Sequence, residues 1–423
     1  MIQLRQSLYL RQIMTLLTGS ALAQLLSLLA APLLTRLYAP EAFGVLALFL
    51  AIAAALAPGI CGRYEVAAVV AADADERGNF FFISLWLAAL LCLFFLLLMA
   101  AFYPLLSWLN VGALGNWLWL TPLALFAMGV IAALRAWANA IKDYRHLSYS
   151  AVMQTASVTL LAIVIGIAVE FDDGLIFANL AGLVLTCIYL VYVYRNLFKK
   201  GKWHWSRCKW KLAWKHIDYP LFSAPTNILN GVMTSLPVFF LMHYFSETIV
   251  GYYALLVRVG VAPLSFIAEA VSRVNLKKIA ELLQAGQDPM PYLRRVTLFL
   301  LLVALLPSVL FILSAPLLFS WVFGAAWSEA GDLLVILVPA LAVQFVVSTL
   351  SLSFVAAGHL RLQATWQVLS LLTTLVVFTW AGRSGDIQHF FWSYMIKDVL
   401  LYIMYYAMLI FALRHPAPMI KVF

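Results

Sequence analysis

Apolar runs long enough to cross a bilayer recur from one end of the chain to the other, with short polar segments between them. A transmembrane helix needs roughly 20 predominantly apolar residues to cover the hydrocarbon core. About twelve runs meet that length, at residues 15–34, 43–60, 80–102, 117–139, 150–169, 174–194, 222–243, 250–272, 296–315, 333–357, 365–381 and 391–413. Lipid offers no partner to an unpaired backbone N–H or C=O, so every run is predicted to be a helix. The chain therefore reads as an all-α integral membrane protein.

The polar segments alternate in charge. One set is basic: Arg5 and Arg11, Arg63 and Arg77, Lys142 and Arg145, residues 195–215 and 273–295, Arg361, and the tail with Arg414 and Lys421. The other set, at 103–116, 170–173, 246–247 and 321–332, carries no Lys or Arg, and Arg36 and Arg383 are the exceptions to the alternation. Basic loop residues resist translocation while acidic ones count for little. Both termini are thus predicted to be cytoplasmic, and an even number of spans agrees.

Composition narrows the function. With 423 residues, 65% of them hydrophobic and 11% charged, there is no room for a soluble catalytic domain. The net charge of +9 is mostly the loop bias, which points to anionic lipid and not to nucleic acid. Cys61, Cys92, Cys187 and Cys208 have no paired spacing and read as packing residues. No cleavable signal is evident, because the first apolar run leads to Arg36 and a further span.

The chain reads as if written twice. Leu37-Tyr38 through Gly44-Val45-Leu46-Ala47-Leu48 lines up with Tyr244-Phe245 through Gly251-Tyr252-Tyr253-Ala254-Leu255, and Ala57-Pro58 with Ala262-Pro263 at nearly the same offset. Each copy is a span, a short turn, a glycine opening the next span and a proline late in it. The alternative is that any two hairpins rich in Ala and Leu look alike. A true repeat divides the chain into a six-helix lobe at 1–194, a basic linker at 195–218 and a second six-helix lobe at 219–423. Parallel repeats of this kind occur in secondary transporters, whose substrate site lies between the halves. In the linker Trp203, Trp205, Trp210 and Trp214 alternate with Lys202, Arg207, Lys209, Lys211 and Lys215, the mixture expected of a helix lying at the headgroup level on anionic lipid. A dock for a substrate pyrophosphate is the sharper alternative.

Candidate chemistry lies inside the spans. No GxxxxGK[ST] run exists for nucleotide binding, and no nucleophile with a base or metal-ligand cluster is apparent, so no catalytic residue, metal or cofactor is expected. An ionisable residue at the bilayer centre costs roughly 2.5–3.5 kcal/mol unless it meets a cavity or a partner. Arg258, Arg135, Lys397, Asp398 and Glu269 are such residues. Two have milder readings: Arg135 can snorkel, and Glu269 can pair with Arg273 four residues on. Three of the five are cationic, which suits an anionic headgroup better than a cationic drug. Asn227, Asn230 and Gln344, with Gln24, Ser348, Ser351, Gln363 and Gln367, offer hydrogen bonds to a sugar or, alternatively, to neighbouring helices.

Arg63-Tyr64-Glu65 after the second span, the acidic stretch 73–76, the helix at 19–36, Tyr219-Pro220 with Ser223 and Pro225, and the 251–263 segment together resemble a known family. It is the Wzx-type O-antigen and polysaccharide flippases, in the multidrug/oligosaccharidyl-lipid/polysaccharide exporter (MOP) superfamily. The resemblance implies a V-shaped bundle of about 12 transmembrane helices in two six-helix lobes around a central chamber, working by alternating access. The implied substrate is an undecaprenyl-pyrophosphate-linked oligosaccharide, moved from the cytoplasmic to the periplasmic leaflet of the bacterial inner membrane. Arg258, Lys397, Arg135 and Arg63 then host phosphate or acidic sugar, and Asn227, Asn230 and Gln344 host hydroxyls. Energy comes from a coupling ion, H+ or Na+, through Asp398 or Glu269. Two further classes stay open: a multidrug exporter of the same superfamily, and a membrane glycosyltransferase or polymerase of polysaccharide assembly.

Overall fold

The computed structural model describes residues 2–71, 73–101, 111–169, 173–199 and 206–416, and the ordered elements among them are helical. Residues 103–110, Glu170, Asp172, Lys202, Trp203, Trp205 and Lys421, all named above, lie outside the described residues. In the first half the helices are α1 (Ile2–Leu37), α2 (Pro40–Leu56), α3 (Tyr64–Val70), α4 (Ala74–Ala101), α5 (Thr121–Ala140), α6 (Tyr144–Ala168), α7 (Gly174–Val193) and α8 (Arg195–Lys199). The short α9 (Arg207–Lys215) precedes α10 (Ala224–Tyr244), α11 (Glu247–Leu256), α12 (Ala262–Gln284) and α13 (Met290–Phe323). Then come α14 (Ser328–Thr349), α15 (Ser353–Ala356), α16 (Leu360–Gly382) and α17 (Ile387–Arg414).

Ten of these helical stretches are long and apolar enough to cross a bilayer. They match ten of the expected runs. The other two, at 222–243 and 250–272, fall on α10 and on α11 with α12. The first is diluted by Thr226, Asn227, Asn230, Thr234 and Ser235. The second is broken by a five-residue π-helical turn, Val257–Val261.

Local chemistry explains where the helices stop. Pro40 and Pro58 sit in the first turns of α2 and of the 3-10 turn that follows it, where a missing N–H costs nothing. Gly62 and Arg63 then take φ of 59° and 63°, a left-handed pair that ends the span and lets α3 start at Tyr64. Asp143 caps α6 by accepting from the His146 backbone N–H at 3.3 Å. Asp386 caps α17 by accepting from the Gln388 N–H at 2.9 Å.

The chain divides into two compact units, Met1–Gly251 and Tyr252–Phe423. In the first, α1 packs along α6, α6 along α7, α4 along α5, and α2 along α10. Small residues let α2 and α10 approach closely: the Ser235 hydroxyl donates to the Ala51 carbonyl at 3.0 Å, and Gly231 faces the carbonyls of Ala54 and Ala55. Hydrocarbon gives no hydrophobic drive for such contacts, so close backbone approach carries them. In the second unit α14 packs between α13 and α17, with Phe345, Leu350, Phe354, Tyr405 and Leu409 in its core.

The two segments that align in sequence touch each other within the first unit. A Cβ on Gly44 would collide with the carbonyl of Glu247, and a Cβ on Gly251 would collide with the carbonyl of Pro40. The hydroxyl of Thr248 donates to Glu41 Oε1 at 2.6 Å. The alignment equates Gly44 with Gly251, Pro40 with Glu247 and Glu41 with Thr248, so the two glycine contacts mirror each other and the N-termini of α2 and α11 meet reciprocally. Burial pushes the Glu247 carboxyl up, and the neighbouring Glu41 adds to this.

Gly44→Ala and Gly251→Ala should each destabilise the protein by about 1–3 kcal/mol, as overpacking does, in thermal unfolding of the detergent-solubilised chain. Because both act on one contact, the double variant should cost less than their sum. Gly112→Ala, at a position where a Cβ meets nothing within 4 Å, should leave stability unchanged.

Candidate functional site

The polar residues singled out in the sequence fall in both units, and most of them are held by neighbours of their own unit. Arg135, on α5, reaches α6: its Nε donates to Ser150 Oγ at 3.0 Å, and one terminal nitrogen donates to the Ser150 carbonyl at 3.2 Å and to Gln154 Oε1 at 2.8 Å. The guanidinium therefore joins two spans through neutral acceptors instead of pointing to the bilayer surface. Asn227 donates to the Ser223 carbonyl one turn back, at 2.8 Å, and Asn230 is exposed on α10.

Arg63 occupies the left-handed turn between α2 and α3. A non-glycine residue there is strained by order of 1 kcal/mol or more, and such strain clusters at functional positions. Its Nη1 lies 3.5 Å from Glu65 Oε1. Glu65 is buried, and neither its Oε2 nor the Arg63 Nε has a hydrogen-bond partner among the described residues. The turn thus holds one unsatisfied acceptor and one unsatisfied donor. Burial raises the Glu65 carboxyl above its ordinary range, while a backbone N–H and Arg63 pull it back in part.

In the second unit α16 and α17 build a closed polar cluster. Lys397 Nζ lies 2.6 Å from Asp398 Oδ1 and donates to Thr374 Oγ1 at 2.9 Å. It also sits over the rings of Phe378 at 4.9 Å and Tyr394 at 5.0 Å. The Tyr394 and Tyr253 hydroxyls are 3.3 Å apart, and Tyr402, one turn beyond Asp398, hydrogen-bonds Gln344 of α14. Gln344 also lines a small cleft with Leu341, Phe345, Ser348, Val261 and Leu264.

Arg258 lies half-buried in the π-helical turn Val257–Val261. Such turns widen a helix locally and occur disproportionately at functional sites. Glu269 is different: it is 66% exposed and bonded to Arg273 at 2.6 Å, one turn on, a solvated surface pair of small energetic weight.

The structure thus joins Lys397 to Asp398, connects Gln344 to the same cluster through Tyr402, and holds Arg135 apart with Ser150 and Gln154. It adds Glu65, Thr374, Tyr253, Tyr394 and Tyr402, which the pattern of charges did not select. Glu65 had a visible signal, a carboxylate two residues from Arg63 in a polar turn. The hydroxyls had none, since Thr and Tyr in an apolar run read as ordinary packing.

Glu65→Gln tests the buried carboxyl. A raised folded-state value means that the stabilising contribution is fully present below the unfolded carboxylate value of roughly 4.3, and is lost as pH rises through the elevated folded value. The variant should match the native chain in acid and melt higher near neutrality, flattening the pH profile of thermal unfolding. For the second cluster, Asp398→Asn should strand the Lys397 ammonium at a cost of about 3–5 kcal/mol and lower the yield of folded protein. Lys397→Met with Asp398→Asn should recover most of it.

Comparison with known proteins agrees with this architecture. A multidrug resistance MATE family transporter of the MOP superfamily, solved inward-facing, superposes with a TM-score of 0.69 at 16% identity, over 95% of this chain and 96% of its own. The lipid II flippase MurJ in an inward closed conformation gives 0.75 at 14% identity, over 94% and 87%. A MOP superfamily transporter from Pyrococcus furiosus gives 0.55 at 14% identity, over 96% and 95%. No match is found among curated proteins. These likenesses establish the fold. Residues 33–332 match the model of a family described as polysaccharide biosynthesis protein, and the chain belongs to that family.

Proposed function

We propose that the protein is a flippase for undecaprenyl-pyrophosphate-linked oligosaccharide repeat units, of O-antigen or a related surface polysaccharide. It carries them from the cytoplasmic to the periplasmic leaflet of the bacterial inner membrane, with both termini cytoplasmic as the basic loops require. Residues 1–194 and 219–423 act as the two lobes, joined by 195–218, and expose a substrate path alternately to the two sides.

Arg258 carries this reading. A guanidinium about two turns into a span is costly, and here it is set on a π-helical turn, where the helix wall is widened. Its planar fork of donors fits a phosphate in two-point contact, which a lysine ammonium cannot reproduce. The family description, polysaccharide biosynthesis, favours a glycan-bearing lipid over the cationic drug of the multidrug alternative. Arg63 with Glu65, on the side that receives substrate, supplies the donor and acceptor pair for sugar hydroxyls, and Gln344, Asn227 and Asn230 supply further polar contacts. Arg135 and Lys397 serve the path as fixed charges, since their nearest partners are protein groups.

For coupling to an ion gradient, Asp398 and Glu65 are the carboxylates placed to exchange a proton, because each is removed from water. Glu269 stays in the surface pair with Arg273 and plays a lesser part.

The test is leaflet transfer of a lipid-linked oligosaccharide in reconstituted vesicles at equal protein level. Arg258→Ala should insert and fold as the native chain does but lose most of its transfer activity, and Arg258→Lys should restore only part of it. Normal transfer by Arg258→Ala, or export of a cationic dye by a chain that moves no glycolipid, would sink the assignment.

A further inference from the structure

The basic linker holds a second surface, distinct from the span interior. α9 is capped by Ser206, whose hydroxyl accepts from the Lys209 backbone N–H at 3.3 Å, and it is used on two faces. The inner face docks on α3 and α4. Leu212 and Ala213 pack on the cluster of Tyr64, Ala67, Phe80 and Ile83, and the Tyr64 hydroxyl donates to the Ala213 carbonyl at 2.9 Å. Lys209 is 2% exposed with its ammonium over the Phe82 ring at 5.1 Å, and His216 meets Phe80 edge-on at 5.2 Å.

The outer face carries Arg207, Trp210, Lys211, Trp214 and Lys215, all exposed. Trp210 and Trp214 lie one turn apart with ring centroids at 5.7 Å. Each is more than half exposed, at 54% and 56%, an unusual state for two neighbouring indoles in water. Across 195–217 the sequence has no Asp or Glu. Paired indoles flanked by cations, in a stretch of sequence without an acid, complement one environment: the headgroup layer of an anionic bilayer, where indole rings settle and Lys and Arg meet phosphate.

We propose that α9 is a lipid-sensing strut: its outer face binds anionic phospholipid headgroups of the cytoplasmic leaflet, and its inner face thereby holds the Arg63–Glu65 turn in place. The coupling is direct, because the residue that α9 grips, Tyr64, stands between Arg63 and Glu65. The choice of leaflet rests on the orientation proposed above, whereas the headgroup contact and the coupling do not. Loss of anionic lipid lets α9 lift from α3 and α4, and the turn loses both its cover and the Tyr64 hydrogen bond.

The exposed Cys208 gives a reporter on α9 itself. With Cys61, Cys92 and Cys187 replaced by Ala, the full-length chain carrying a polarity-sensitive thiol probe at Cys208 is reconstituted in phosphatidylcholine vesicles with increasing phosphatidylglycerol. The probe should become protected from aqueous iodide as phosphatidylglycerol rises, and 1 M salt should weaken the effect. The triple variant R207Q/K211Q/K215Q, which changes only the outer face, should need several-fold more phosphatidylglycerol. A parallel measurement on the native chain, requiring no cysteine replacement, follows amide hydrogen exchange over residues 61–68. Exchange there should slow with phosphatidylglycerol in the native chain and not in the triple variant.

Protection of Cys208 that ignores phosphatidylglycerol overturns the lipid contact. The same protection produced by millimolar inorganic pyrophosphate in pure phosphatidylcholine assigns the surface to a soluble phosphate group and overturns it too. Protection of Cys208 without slower exchange at 61–68 overturns the coupling. None of these readouts uses a transported substrate, so their failure is separable from failure of the flippase reading.

Discussion

The absence of water in the hydrocarbon core is the constraint on which the rest of this structure depends. Every backbone donor and acceptor at membrane depth needs an internal partner, so the spans are helices and each interruption needs a local device. Among the described residues these devices include the 3-10 turn at Ala57–Gly59 and the left-handed pair Gly62 and Arg63, and the π-helical turns Tyr219–Ser223 and Val257–Val261. Two of the residues central to the proposed function sit on them, Arg63 on the left-handed pair and Arg258 on the second π turn. A regular helix fixes the direction of every side chain, whereas a widened or terminated one can aim a guanidinium elsewhere.

Charges in the same medium obey a second form of the constraint. An isolated ion in hydrocarbon is expensive, so it must be solvated by the protein. Arg135 is solvated by two side-chain oxygens and a carbonyl, Lys397 by a carboxylate, a hydroxyl and two aromatic faces. These arrangements fix one helix against its neighbour and leave little capacity for a ligand. Outside the spans, Glu65 shows the opposite case, a buried carboxyl with one oxygen unspent, which is why it enters the functional reading although its charge alone would not have drawn notice.

Small residues decide how the helices meet. Apolar area gains nothing by moving from lipid to protein, so association depends on close packing and on scattered hydrogen bonds. The reciprocal approach of α2 and α11 at Gly44 and Gly251, and of α2 and α10 at Gly231 and Ser235, are contacts of this type. The Glu41 to Thr248 hydrogen bond marks the end of α2 and α11 where the chain leaves the apolar run.

Much of this was legible in the sequence, because bilayer thickness and backbone hydrogen bonding translate directly into run length. Ten spans appear where the hydropathy placed them, and the two that fall short of a simple apolar helix, α10 and α11 with α12, are those carrying amides, hydroxyls or a guanidinium. The alignment of the 37–48 and 244–255 segments was equally visible, as was the mixed aromatic and basic character of 195–215. Charge inside a span announced Arg135, Arg258, Lys397 and Asp398 as residues with something to explain, since composition alone shows their cost. What each was bonded to depended on which helices lie side by side, and that is set by steric fit at residues far apart in the chain. Only the tertiary structure could therefore show Arg135 bonded to Ser150, Lys397 paired within α17 and capped by Thr374, Glu269 left at the surface, and Tyr64 gripped by α9.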